Sequence, residues 1–228
     1  MMNNKLKTFL KKILPSTVFS RKSYSQEGED LTVDRLLSGK RNGFYVEVGA
    51  HHPFRFSNTY FFYKKRWSGI CIDPLPGIKG LFNMRRPRDL FLEMGISANE
   101  GELEYFMFNE PALNTFDPAV AAQRNGQMGY CLVESRKIKT TPLAEVLKTH
   151  LSQDQAIDLL SVDVEGLDLE VLKSNDWERF KPRVVIVECL TALLDDINTD
   201  PVYIFLKSKG YRLYGKSGYS FIFILENT

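Results

Sequence analysis

The chain has 228 residues, 43% of them hydrophobic, enough for one sizeable core and too few for two full domains joined by a linker. Its 30 basic and 28 acidic side chains leave a net charge of +2, which gives no overall field to draw nucleic acid. The three cysteines, Cys71, Cys131 and Cys189, are far apart with no CxxC pair, which argues against a disulfide framework or a structural zinc site and for a reducing cytoplasm.

No apolar run approaches the roughly 20 residues that span a bilayer, and the N-terminus lacks the uninterrupted apolar stretch of a signal peptide. Leu6, Phe9, Leu10, Ile13 and Leu14 fall at helical spacing among Lys5, Lys7, Lys11 and Lys12, and Pro15 ends the pattern. Such a basic amphipathic helix suits an anionic membrane surface at the inner face, packing on its own domain, or a second copy in a homodimer. Residues 1–22 are therefore set apart as an extension, and 23–228 as the main domain.

The polar segment Ser23-Tyr24-Ser25-Gln26-Glu27-Gly28-Glu29-Asp30 leads into a short helix through Leu31, Val33, Leu36 and Leu37, with acids in its first turn. Gly43 to Val48 then reads as a first strand that carries an acid, Glu47, near its end, and Gly49 turns the backbone as in a nucleotide-type α/β sheet. A pyrophosphate turn requires G-x-G-x-x-G, whereas only Gly49 is present here, followed by His51, His52 and Pro53. A carboxylate at that mouth repels phosphate and suits a cationic ligand. S-adenosylmethionine, with an ammonium, a sulfonium and no phosphate, meets this constraint better than NAD or ATP.

Ser57-Asn58-Thr59 offers caps for a helix through the aromatic cluster Tyr60 to Tyr63. Ile70-Cys71-Ile72-Asp73 is a second strand ending in an acid, and Asp73 lies 24 residues beyond Gly49, close to the spacing at which a carboxylate meets the ribose diol of an adenosine. Leu90 to Ser97 reads as a third strand, with Glu102 to Phe108 alternating beside it. Asn109 to Tyr130 is a long connection of the kind that covers sites and here shapes acceptor choice. A strand over about 131–139 precedes Thr141-Pro142, read as an N-cap and first helical residue of a helix to His150.

Asp158 to Glu165 is an apolar strand ending in Asp163 and Glu165, two apart and so on one face if extended, with a helix from Gly166. Paired acids are retained most readily where they bind a cation, share a proton or catalyse. Arg183 to Glu188 is another parallel-type strand, and Asp200-Pro201 starts a helix stopped by Gly210. Tyr211 to Tyr214 and Tyr219 to Leu225 close the chain as an antiparallel hairpin across Gly215 to Gly218.

In this order the motifs resemble the FkbM family of S-adenosylmethionine-dependent methyltransferases. The matching segments are Tyr24 to Asp30, Tyr45 to His51, Ser57-Asn58-Thr59, Ile72-Asp73, Ala112 to Phe116, Asp163 to Gly166 and Arg183 to Glu188, spanning about residues 23–225. The resemblance implies a class I methyltransferase (Rossmann-like) α/β fold: a seven-stranded, mostly parallel sheet with a C-terminal antiparallel hairpin. It also implies methyl transfer to a hydroxyl, of the kind associated with bacterial polysaccharide or glycolipid decoration. Glu47 stands where many members have aspartate.

The expected reaction is therefore O-methylation of a sugar hydroxyl, with Asp163, Glu165 and His51 as catalytic candidates and His52 as a second histidine. Gln26, Glu47, Gly49, Asp73 and Ser97 are the expected cofactor contacts: Glu47 for the ammonium, Gly49 for close backbone approach, Asp73 for the ribose, Ser97 near the adenine, and Gln26 closing over the pocket. Asp163 and Glu165 with a histidine form an alternative divalent-cation site that would lower the acceptor's pKa. Two competing readings are a nicotinamide-dependent sugar oxidoreductase and a binding module of the same fold without turnover. The missing glycines, and the lack of a Tyr-x-x-x-Lys pair on a credible helix, speak against the first. The intact acids at both strand mouths speak against the second.

Overall fold

The structure is a computed structural model that describes residues 20–189 and 195–226. The basic amphipathic segment 5–14 lies outside the described residues, so neither it nor the proposed boundary at residue 22 is tested.

Helix α1 (Glu29–Leu36) leads to strand β1 (Phe44–Val48), helix α2 (Tyr60–Lys64) and strand β2 (Ser68–Asp73). Helix α3 (Ile78–Arg85), strand β3 (Leu90–Glu93), the two-residue strand β4 (Gly95–Ile96) and strand β5 (Gly101–Phe108) follow. Then come a 3-10 turn at Pro111–Leu113, helix α4 (Pro118–Arg124), strand β6 (Leu132–Thr141), helix α5 (Leu143–His150) and strand β7 (Leu159–Val162). Helix α6 (Asp168–Lys173), strand β8 (Val184–Glu188), helix α7 (Pro201–Ser208) and strands β9 (Tyr211–Ser217) and β10 (Ser220–Leu225) complete the order.

Seven strands form one sheet in the order β3-β2-β1-β7-β8-β10-β9. All pairings are parallel up to β8, and β10 runs antiparallel to both β8 and β9, as the hairpin predicted. The strand order reverses between β1 and β7, which places a ligand crevice beyond their C-terminal ends.

Period-two alternation splits the core in two. Val46, Val48, Ile70, Ile72, Leu160 and Val185 pack on one face against α5, α6 and α7. On the other face Tyr45, Cys71, Leu159 and Ile186 meet Val33 of α1, Phe62 of α2 and Phe82 of α3. Glu47 shares the face of Tyr45, which turns it into the second layer. No helix among the described residues is long and apolar enough to cross a membrane.

Three local expectations are corrected. The single strand expected over 90–97 breaks at Met94, and β4 joins a separate three-stranded sheet with β6 and β5. Gly95 permits this, because a Cβ there would meet Phe116 at 2.7 Å and Thr140 at 2.9 Å. Thr141 ends β6 rather than capping a helix, and Pro142 itself is the N-cap of α5. The connection after Phe108 is not a plain loop: it folds into the 3-10 turn and α4, whose N-cap Asp117 accepts from Ala119 N and Val120 N.

Candidate active site

Gly49 follows β1 with φ 81°, and its N–H donates to Ile72 O at 2.9 Å. A Cβ at this position would lie 1.6 Å from the main-chain oxygen of Asp163. The glycine is thus required first by the close passage of the β7 exit over the β1 exit, which brings the two strand mouths together.

Asp73 ends β2 and is buried. Its Oδ2 accepts from His51 N at 2.7 Å and its Oδ1 from Leu75 N at 2.8 Å. Burial is the main cause that pushes its pKa up to about 6, against those two backbone donors.

A cavity of about 760 Å³ opens at these mouths. Its polar lining includes Gln26, Gly49, His51, Asp73, Asp163 and Glu165, and its apolar lining includes Ile72, Met94, Ile96 and Phe116. Asn114 also lines it: its Oδ1 accepts from Phe108 N at 2.8 Å, while its Nδ2 is buried without a hydrogen bond of ordinary geometry. A buried donor left in this state is costly unless a ligand accepts from it.

Asp163 and Glu165 do converge, though not by strand pleating as expected. β7 stops at Val162, and Glu165 takes a left-handed φ of 59°. Its main-chain oxygen accepts from Thr115 Oγ1 at 2.7 Å, and its carboxylate pairs with Arg124 at the end of α4. A third acid joins them: Glu188, at the end of the neighbouring strand β8. One carboxyl oxygen from each of Asp163, Glu165 and Glu188 lies within 4.8 Å of the others.

Burial raises the pKa of all three. Asp163 is raised further by Glu165 and Asp168, and Glu188 reaches about 11 through burial and then the charges of Asp163, Glu165 and Asp168. For Glu165, Arg124 opposes the rise. Asp168, whose oxygens accept from Val164 N and Gly166 N, is pushed up to about 7, again chiefly by burial. The site therefore holds a proton-sharing cluster with one paired, more acidic member.

His51 lines the cavity with φ 47°. Burial, then the Arg55 and His52 charges, lower its pKa to about 4, so it is neutral at pH 7. It is not part of the acid trio, so the expected pairing of Asp163 and Glu165 with a histidine is replaced by one with Glu188. His52 is a brace, its Nδ1 accepting from Phe54 N at 3.3 Å and Arg55 N at 3.1 Å.

Two expected cofactor contacts sit elsewhere. Glu47 is buried behind the cavity, where Thr59 Oγ1 donates to it at 2.6 Å, Ser57 Oγ at 3.3 Å, and Arg86 pairs with it at 3.5 Å. The physical reason is the strand alternation that aims it at the helical layer. Arg86, fully buried, also pairs with Asp89 at 2.6 Å and donates to Tyr45 OH, Thr59 Oγ1 and Pro53 O, so this network anchors the loop after β1. Ser97 bonds to Asn99 O and Thr140 Oγ1, and Met94 and Ile96 line the cavity in its place.

The N-cap of α2 is Thr59, whose hydroxyl turns to Glu47 and caps nothing, while Ser57 Oγ, two residues earlier, accepts from Tyr60 N at 3.0 Å. Sequence reasoning gave no role to Arg86, Glu188, Asn114 or Arg124 in building the site, although Asn114 and Glu188 lay in segments that carry the family resemblance and Glu188, an acid at a strand end, showed the signal used for Asp73.

The methyltransferase FkbM domain model matches residues 47–213, well over half of the chain, including the end of β1 and all of β2, β7 and β8. The chain belongs to the FkbM methyltransferase family. It is an S-adenosylmethionine-dependent methyltransferase of the class I fold.

Among curated proteins, none matches the sequence. Similar solved structures include a putative O-methyltransferase from Klebsiella pneumoniae (TM-score 0.47, 9% identity, covering 97% of this chain and 96% of that one). Others are precorrin-6y C5,15-methyltransferase from Geobacter metallireducens (0.46, 11%, 91% and 94%) and 1,6-didemethyltoxoflavin-N1-methyltransferase from Burkholderia thailandensis (0.43, 9%, 98% and 89%). These likenesses assign neither substrate nor site residues to this FkbM domain.

Proposed function

We propose that this FkbM domain methylates the oxygen of a sugar hydroxyl in a polysaccharide or glycolipid. The observation that carries the reading is the single cavity running from Asp73 past Gly49 to Asp163, with acids at both ends and no phosphate-binding turn. The residues present fit the cofactor. Asp73 would hold the ribose diol, Asn114 Nδ2 would find an acceptor, and the acidic lining suits a ligand with ammonium and sulfonium charges. When bound, S-adenosylmethionine supplies an electrophilic methyl group.

Transfer of that methyl group to a hydroxyl would release the hydroxyl proton, which a base beside the acceptor oxygen would have to take. Most of the acceleration comes from holding the oxygen in line. Asp163 is the base we favour: it lines the cavity, and its raised pKa makes it a stronger proton acceptor than an ordinary aspartate. Glu188, protonated at neutral pH, can lend a hydrogen bond to it, and Arg124 offsets the charge of Glu165. His51, with a pKa near 4, is too weak a base to be preferred and instead shapes the cavity wall.

The trio Asp163, Glu165 and Glu188 is also the one group among the described residues arranged to take a divalent cation. That second reading stands if added Mg²⁺ stimulates turnover and EDTA abolishes it. The nicotinamide reading finds no glycine-rich turn to support it. Residues 5–14 would bring the enzyme to a lipid-linked acceptor at the inner membrane face; equal sedimentation with anionic liposomes of the full chain and a version starting at Ser23 would refute this. The function is tested by mass spectrometry of cell-envelope glycans after deletion of the gene, where the loss of one methyl ether from one sugar is expected and unchanged glycans would contradict it.

A further inference from the structure

A second cavity, of about 360 Å³, lies beside the first and shares Gln26, Phe56 and Asp163 with it as lining. Its remaining walls are Glu27 and Glu29 at the start of α1, Asn58 ahead of α2, Glu188 at the end of β8, and Tyr219 and Ser220 at the start of β10, so the segment before α1 and the final hairpin both contribute. These two segments are fastened to each other. Ser217 Oγ donates to Glu27 O at 2.7 Å, and at Gly218, φ 52°, a Cβ would meet Glu27 Cγ at 2.6 Å. Asp30, fully buried, holds the polar segment by accepting from Ser23 Oγ and Tyr24 N, both at 2.7 Å. The hairpin is fixed to β8 by Cys189 N donating to Tyr219 O at 2.7 Å.

Two features of this cavity point to one kind of ligand. Phe56 and Tyr219 line it and stay 43% and 59% exposed; Arg55 lies 4.3 Å from the Phe56 ring centroid and Lys216 Nζ 6.0 Å from that of Tyr219, so each ring carries a cation and offers the cavity the surface that remains open. The negative face of an aromatic ring attracts the polarised C–H groups of a sugar ring. The rest of the lining is hydrogen-bonding: the amides of Gln26 and Asn58, and the carboxyls of Glu27, Glu29, Asp163 and Glu188. No lysine, arginine or histidine lines it. Carboxylates accept from hydroxyl and ammonium groups and repel phosphate and carboxylate.

We propose that this cavity is the acceptor subsite, that Tyr219 and Phe56 stack on one sugar ring, and that its carboxylates select a neutral or amino-bearing ring over a phosphorylated or carboxylated one. The inference rests on the sugar O-methylation proposed above and adds where the ring sits and which rings are refused. Asp163, common to both cavities, then stands at their junction, beside the acceptor hydroxyl, where a base is needed.

Saturation-transfer NMR on the protein, with and without S-adenosylhomocysteine, tests this using methyl glucoside, glucosamine, glucuronate and glucose 6-phosphate as probes. Methyl glucoside and glucosamine should respond and the two anions should not. Tyr219→Ala, at an exposed site, should weaken the response about fivefold, the order expected for one aromatic face. It should leave the calorimetric affinity for S-adenosylhomocysteine unchanged, and Glu27→Lys should admit glucuronate. Equal responses from neutral and anionic probes, no response from any sugar, or an undiminished response in Tyr219→Ala would overturn the subsite. Failure of S-adenosylhomocysteine to bind would instead strike the cofactor assignment.

Discussion

The main-chain oxygen of Asp163 occupies the place where a side chain on residue 49 would begin, 1.6 Å from the position of a Cβ there. This contact locks the exits of β1 and β7 together and so fixes the distance between the cofactor turn and the acid trio. Gly49→Ala therefore has to move backbone as well as adopt a strained φ of 81°. We expect a loss of at least about 2 kcal/mol in stability. Thermal unfolding reads it, and a melting temperature equal to that of the unsubstituted protein would contradict it.

Glu47 and Asp73 end neighbouring strands yet do different work. Asp73→Ala should weaken S-adenosylhomocysteine binding by about tenfold to a hundredfold, the range for losing charge-assisted hydrogen bonds. Arg86→Leu should cost about 3–5 kcal/mol by leaving Glu47 and Asp89 buried without their partner. Glu47→Gln should lower stability with little change in cofactor affinity. Calorimetry and chemical denaturation on the three variants separate the two roles.

How far this division was legible in the sequence depends on the element. Alternation and strand-end acids gave the sheet, its hairpin, Asp73 and Asp163, because period-two burial and the need for a carboxylate at a strand mouth leave a local mark. The role of Glu47 was misread for the same reason: its position near the strand end was visible, whereas the arginine that pairs with it, Arg86, lies 39 residues away in a basic segment with no pattern. Glu188 joins Asp163 only once β7 and β8 are known to be neighbours. Arg124 reaches Glu165 from a short helix inside a stretch whose prolines and glycines read as loop.

Stability and binding should depend on pH in opposite senses. The folded pKa of Asp73, about 6, and of Asp168, about 7, both exceed the ordinary aspartate value. Between the unfolded and folded values the native state binds the extra proton, so stability falls as pH rises through that window. The unfolding temperature should accordingly be higher at pH 5 than at pH 8. Cofactor affinity should instead fall below about pH 6, because a protonated Asp73 accepts one hydroxyl less well, and Asp73→Asn should flatten that dependence.

Arg124 positions Glu165 from outside the cavity and opposes the rise of its pKa, so it holds charge on the acid next to Asp163. Arg124→Met should move the acidic limb of the rate profile upward by about one pH unit, the lower end of the effect of losing an adjacent opposite charge. Arg124→Lys should restore much of the original profile. A drop in rate with no shift in the profile would show a purely structural role.

The most direct test of the account is methyl transfer itself. The purified protein, given S-adenosylmethionine with a deuterated methyl group and the glycan fraction of the cell that encodes it, should place that methyl on a sugar oxygen. Asp163→Asn should slow the transfer by about a hundredfold or more while S-adenosylhomocysteine still binds. Label found on nitrogen or carbon, or an undiminished rate in Asp163→Asn, would contradict it.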